Sequence, residues 1–216
     1  YTFTNVTTNH TIAASFAIDT YTITATAGPN GSISPAGAVS VDYGANQSFA
    51  ITPAAHYHVA DVVVDGSSVG APVNYTFTNV TTNHTIAASF AIDTFGVDAS
   101  VSGGHGSVSP ASQTVDYGSN ASINIAPDVG YHIASITDNG VGQAVANPYV
   151  IGNVTANHTV VVVFAIDTFG VDASVSGGHG SVNPSSQTVD YGASASISIA
   201  PDVGYHIASI TDNGVG

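Results

Sequence analysis

Along residues 20–93 apolar and polar side chains alternate in short runs. Tyr21, Ile23, Ala25 and Ala27 are interleaved with threonines, the two-residue period of a strand with one buried face. Residues 28–31 (Gly-Pro-Asn-Gly) predict a turn and residues 32–34 a return strand, which Pro35 ends because it has no amide proton to donate. A loop then leads to Val-Asp-Tyr-Gly at 41–44, read as a short strand closing in a turn at Gly44. Phe49 and Ile51 mark the next strand, which ends at Pro53. Tyr57, Val59, Val62 and Val64 continue the pattern, and the three-residue step after Val59 predicts a β-bulge. Asp65-Gly66 signals a hairpin, since such turns need positive φ that glycine adopts at little cost. Tyr75 and Phe77, then Ile86, Ala88, Phe90 and Ile92, supply two closing strands joined through residues 79–83. Seven short strands separated by turns predict an all-β unit, a small sandwich or curled sheet without long helices.

The unit recurs. The stretch YTFTNVTTNHTIAASFAID occupies residues 1–19 and, unchanged, residues 75–93; a diverged form, YVIGNVTANHTVVVVFAID, occupies 149–167, giving a period of 74. Fixed-period similarity marks a tandem array. The expected organisation is the closing strands of a partial repeat at 1–19, whole repeats at 20–93 and 94–167, and a partial repeat at 168–216 without its closing strands. Residues 168–216 differ from 94–142 at five positions only (109/183, 111/185, 119/193, 120/194 and 124/198), all exchanges among Ser, Ala and Asn. Val161 and Val163 make the second face of the last strand apolar as well, which predicts burial on both sides.

The order of these motifs carries a family resemblance. GSISP, VDYG, YHVADVVVDG and NHTIAASFA in one repeat, and GSVSP, VDYG, GYHIASITDNG and NHTVVVVFA in the next, resemble the divergent internalin-type B-repeat over essentially the whole chain. Where that family often places Trp, this chain has Val62, Ile136 and Ile210, which keeps an apolar core residue. The resemblance implies small β domains, some grasp-like with a short helix, strung in tandem on large secreted and cell-surface proteins of bacteria. It implies a spacer or adhesive role and no shared catalytic residues.

Composition narrows the function classes. Thirteen residue types build the chain, and Leu, Glu, Lys, Arg, Met, Cys and Trp are absent. With fourteen Asp and no Lys or Arg, the formal charge is −14, which rules against a nucleic-acid partner and against an anionic membrane surface. No apolar run approaches the ~20 residues of a membrane-spanning helix, so no membrane insertion is expected. Without Cys there are no disulfides, which leaves the compartment to be argued from the resemblance: extracellular, at the cell surface.

The candidate chemistry is sparse. Histidines fall in columns at 10/84/158, 58/132/206 and 105/179, and His56 with His58 is the one local pair placed on a shared strand face for zinc or nickel. The competing reading is ordinary surface histidine. Aspartates at 19/93/167 and 42/116/190 flank turns; calcium is the one cofactor they leave open, but each loop offers a single carboxylate where calcium takes several. Ser, His and Asp recur without a nucleophile motif, so no catalytic residues and no enzyme are expected. Asn5, Asn9, Asn79, Asn83, Asn153 and Asn157 stand in Asn-x-Thr sequons, candidates for glycosylation and equally ordinary turn residues. Tyr43, Tyr117 and Tyr191 of the VDYG turns are the candidate platform for a carbohydrate or cell-surface ligand. The leading expectation is a structural stalk or filament body whose partner is the chain itself. Tyr1, Phe3, Ile12, Phe16 and Ile18 of one chain would then complete the partial repeat of its neighbour by strand addition.

Overall fold

The computed structural model describes residues 1–215, and among them there are strands and turns but no helix. The chain divides into two compact units, Tyr1–Asp93 and Thr94–Gly216. The first holds β1 (Thr20–Ala27), β2 (Gly31–Ser34), β3 (Gly37–Asp42), β4 (Gln47–Pro53), β5 (Tyr57–Val64), β6 (Ser67–Ser68), β7 (Asn74–Phe77) and β8 (His84–Ile92). The alternating residues do what their period predicts: Ile23, Ala25, Phe49, Ile51, Val59, Val62, Ile86 and Ala88 all point into one core. That core lies between a five-stranded sheet, order β3-β1-β8-β5-β6, and a three-stranded sheet, order β2-β4-β7. The all-β sandwich expected from the pattern is therefore the observed fold.

The closing strand β8 lies at the centre of the larger sheet, parallel to β1 and antiparallel to β5. Nothing in an alternating pattern specifies that neighbour, since periodicity fixes which face is buried and not which strand lies alongside. The expected bulge falls between Val59 and Asp61. Asp65 (φ 48°) and Gly66 (φ 81°) form the predicted tight turn, and the chain returns as β6, a strand too short for the pattern to disclose. One segment differs from expectation: residues 37–40, read as loop, belong to β3, because their backbone continues the ladder with β1 from Val41 through Gly37.

The second unit opens with the same sandwich. It comprises β9 (Thr94–Ser102), β10 (Gly106–Ser109), β11 (Ser112–Asp116), β12 (Ala121–Pro127), β13 (Tyr131–Asp138), β14 (Val141–Gln143), β15 (Tyr149–Ile151) and β16 (His158–Ile166). Its sheets run β11-β9-β16-β13-β14 and β10-β12-β15, and its core includes Val97, Ile123, Ile136, Val160 and Val162. The two-sided burial expected of the last strand does not occur: Val163 is exposed on the outer face of β16.

The third repeat departs from the other two. It retains β17 (Thr168–Asp172), β18 (Gly180–Asn183), β19 (Ser186–Asp190) and β20 (Ser198–Pro201), joined only as the pairs β17–β19 and β18–β20. Ile136 is fully buried, whereas Ile210, its equivalent one period on, is 60% exposed. The sequence predicts two closing strands in residues 1–19, but none forms there. Tyr1, Phe3, Ile12, Phe16 and Ile18 are exposed, and without a ladder partner an extended segment has nothing to hold it as a strand.

Candidate functional site

In a chain without Lys or Arg, histidine is the only side-chain cation available to an aspartate, and the structure uses it to hold the closing strand at both ends. His84, the first residue of β8, places Nδ1 2.6 Å from Asp65 Oδ2 in the β5–β6 turn. The Thr85 amide donates to the other Asp65 oxygen at 2.7 Å. Burial alone would raise the Asp65 carboxyl, but the His84 and Thr85 hydrogen bonds and the His84 charge outweigh it and hold the group below the ordinary carboxylate range. Just before the strand, Asn83 Oδ1 accepts the Thr22 amide of β1 at 2.8 Å. Just after it, Asp93 accepts His58 Nδ1 at 3.0 Å and donates its own amide to the His56 carbonyl at 2.9 Å.

The next repeat builds the same clasps with one exchange. Asn139, one period after Asp65, accepts the Thr159 amide at 2.9 Å. The carboxylate has moved to Asp138, the equivalent of the buried Val64, and there it meets His158 Nδ1 at 2.7 Å. Tyr149 donates its hydroxyl to the same carboxylate at 3.5 Å. Burial pushes the Tyr149 phenol upward, and the neighbouring Asp138 charge and hydrogen bond add to the shift. Asn157 Oδ1 accepts the Gly96 amide, and Asp167 takes His132 Nδ1 at 2.7 Å while donating its amide to the Gly130 carbonyl at 2.8 Å. These His–Asp pairs lie 19 to 35 residues apart in sequence. What could have revealed them was the pairing of a His column with an Asp column in a chain that offers carboxylates no other cation.

The aromatic residues are placed by the same repeat logic. Phe90 and Phe164, near the ends of β8 and β16, lay their rings over Gly31 and Gly106, where a Cβ would run into the ring. Tyr43, Tyr117 and Tyr191 pair with Tyr21, Phe95 and Phe169 at ring-centroid distances of 6.2, 6.3 and 6.4 Å. The Tyr191 ring also lies against Gly130 of the preceding repeat, and its amide donates to the Asp167 carbonyl at 2.8 Å. This tyrosine is part of the junction between two successive repeats. His105 and His179 stack flat on Tyr131 and Tyr205, at 4.2 and 4.1 Å.

Of the metal pair considered from sequence, His58 is engaged with Asp93, and His56 contributes its carbonyl to the same aspartate. Among the described residues no three His or Asp side chains converge as metal ligands would. The sequon residues Asn79, Asn83, Asn153 and Asn157 are exposed. Two of them, Asn83 and Asn157, spend their side-chain oxygens on the strand clasps.

In the third repeat the groups that clasp a closing strand face an open groove of about 1010 Å³. Val171, Ala173, Val182, Ile199, Ile207 and Ile210 line its apolar part, with His206 and Asp212 also along it. The chain is thus an array of repeats, two of which are sandwiches with a closing strand at the centre of the larger sheet. It belongs to the divergent InlB B-repeat domain family, whose model matches residues 21–94, 98–168 and 172–216. The family is of a repeat-domain type, typically structural and associated with bacterial surface or secreted proteins. No curated protein sequence matches the chain.

Proposed function

We propose that the chain is a length of an extracellular stalk or filament body, located at the bacterial surface, in which each repeat is locked by a closing block of the kind seen at 75–93 and 149–167. The observation that carries this reading is a comparison inside the molecule. Residues 94–142 and 168–216 are nearly the same sequence, and the five differences are small polar exchanges. With a closing block in place, the first copy makes two full sheets and a buried apolar core; with none, the second keeps only two strand pairs. The closing block is therefore the part that converts a loose hairpin array into a rigid link. Rigid links of one kind joined end to end make a spacer, and such repeats gain stability from their neighbours. The acidic, Lys- and Arg-free surface keeps such an array soluble and self-repelling along its sides.

Immunogold electron microscopy with antibodies raised against the chain tests the reading on cells that make it. Label on surface projections or on shed filaments is the expected result. Label confined to the cell interior would overturn it.

A further inference from the structure

We propose that Tyr191 is the stop of an inter-repeat joint. Seated on the Gly130 turn of the preceding repeat, its ring holds two successive repeats in one orientation, and the residue at the Gly130 position sets whether the joint is stiff or loose. The proposal rests on the structural reading above and adds the contact surface and the side chain that fills it.

The first argument is how little chain connects the repeats. β16 ends at Ile166 and β17 starts at Thr168, so Asp167 is the whole connection. Its amide, carboxylate and carbonyl are all committed. The amide donates to the Gly130 carbonyl at 2.8 Å, and the carboxylate accepts His132 Nδ1 at 2.7 Å, both within the second repeat. The carbonyl accepts the Tyr191 amide of the next repeat at 2.8 Å. These bonds fix where the repeats meet. A single connecting residue still keeps two soft dihedral angles, so a bend there is arrested only by a contact away from the chain.

The second argument is that the Tyr191 ring makes such a contact. It lies so close on Gly130 that a Cβ at that glycine would run into it. On its own side the ring has Phe169 as a neighbour, with centroids 6.4 Å apart. Tyr191 follows Asp190, which pairs with Thr168 across β17 and β19, so the ring and the joint are carried by one short strand pair. The turn it meets is braced as well. The Tyr131 amide donates to the Asp128 carbonyl at 3.1 Å, and the Tyr131 ring is stacked with His105. Two fixed turns therefore meet beside one connecting residue.

The third argument is the choice of glycine. The turn position has positive φ in each repeat: 66° at His56, 81° at Gly130 and 85° at Gly204. His56 shows that this backbone conformation accepts a side chain, so the conformation alone does not call for glycine. What glycine supplies at position 130 is the empty space that lets a ring approach the backbone. The tyrosine is constant at 43, 117 and 191, whereas the turn position is His or Gly. The turn residue is thus the half of the contact that varies along the array, and the half through which its stiffness is set.

Spin labels read the joint directly, because the protein has no cysteine of its own. Thr114→Cys and Thr188→Cys mark the same exposed site on β11 and β19, one period apart. Double electron–electron resonance on the full chain carrying both labels should give a single narrow distance distribution. Tyr191→Ala and Gly130→Asn should each roughly double its width. Tyr191→Phe keeps the ring and should leave the width unchanged, as should Tyr43→Ala in the corresponding turn of the first repeat. Asparagine tolerates a left-handed backbone, so Gly130→Asn should keep the parent circular-dichroism spectrum. A parent distribution as wide as that of Tyr191→Ala, a width indifferent to Gly130→Asn, or equal widening by Tyr191→Phe would each overturn the proposal. None of these outcomes would alter where the antibodies label the cell, so the two readings fail separately.

Discussion

At the scale of single residues, two His–Asp pairs of the same kind differ in their surroundings. The side chains of His58 and Asp93 are 56% and 40% exposed, whereas those of His158 and Asp138 are 19% and 10% exposed. Removing one partner of a solvated pair costs about 0–1 kcal/mol, whereas removing one partner of a buried pair strands a charge and costs about 3–5 kcal/mol. His158→Ala should therefore lower the thermal midpoint of its repeat by several degrees more than His58→Ala lowers that of the first unit, read by circular dichroism on each variant. Asp65 supplies a test by pH. Its folded pKa lies below the unfolded value of about 3.9, so its stabilisation is present above that pH and is lost as pH falls through the folded value. Asp65→Asn keeps the acceptor for the Thr85 amide, as Asn139 shows for Thr159, and loses only the carboxylate. Melts of the parent and Asp65→Asn should differ at pH 7 and converge as pH falls through the folded pKa; curves that stay parallel over the whole acid range in which the protein folds would refute the assignment.

At the scale of elements, the alternating residues disclosed most strands, the bulge after Val59 and the Asp65-Gly66 turn, because a two-residue period and turn chemistry are local properties. What was not legible is non-local. The place of β8 between β1 and β5 depends on which edge the chain returns to. The β3 residues 37–40 are strand only because β1 lies alongside. The clasps were hidden for the same reason, as was the move of a carboxylate from the position of Asp65 to that of Asp138: each joins positions the chain separates by 19 to 61 residues. Element packing yields its own test at Gly106, where an added methyl would meet both the Phe164 ring and the Ala126 carbonyl. Overpacking of this kind costs about 1–3 kcal/mol. Gly106→Ala should lower the midpoint of the second repeat, and Gly142→Ala, whose Cβ would meet nothing, should leave it within error.

At the scale of the whole molecule, the absence of Lys and Arg has a direct biochemical outcome. Trypsin should leave the chain intact even in denaturant, and a tryptic fragment from it would show the sequence to be wrong. The parallel neighbours β1 and β8 bear on mechanics. β1 opens the folded repeat and β8 ends it, side by side and pointing the same way, from the Ile23–His84 pair to the Ala27–Ala88 pair. Tension applied through the two ends of such a repeat slides these strands past each other. The rungs between them are then strained together, not unzipped in sequence. Pulled in a force microscope, a whole repeat should give way in one abrupt step. Each step should release about 3.3–3.6 Å of contour for every residue freed. The same sandwich pulled across its strands should peel apart at far lower force. A material made of these repeats would be stiffest along the direction in which a surface tether is stretched.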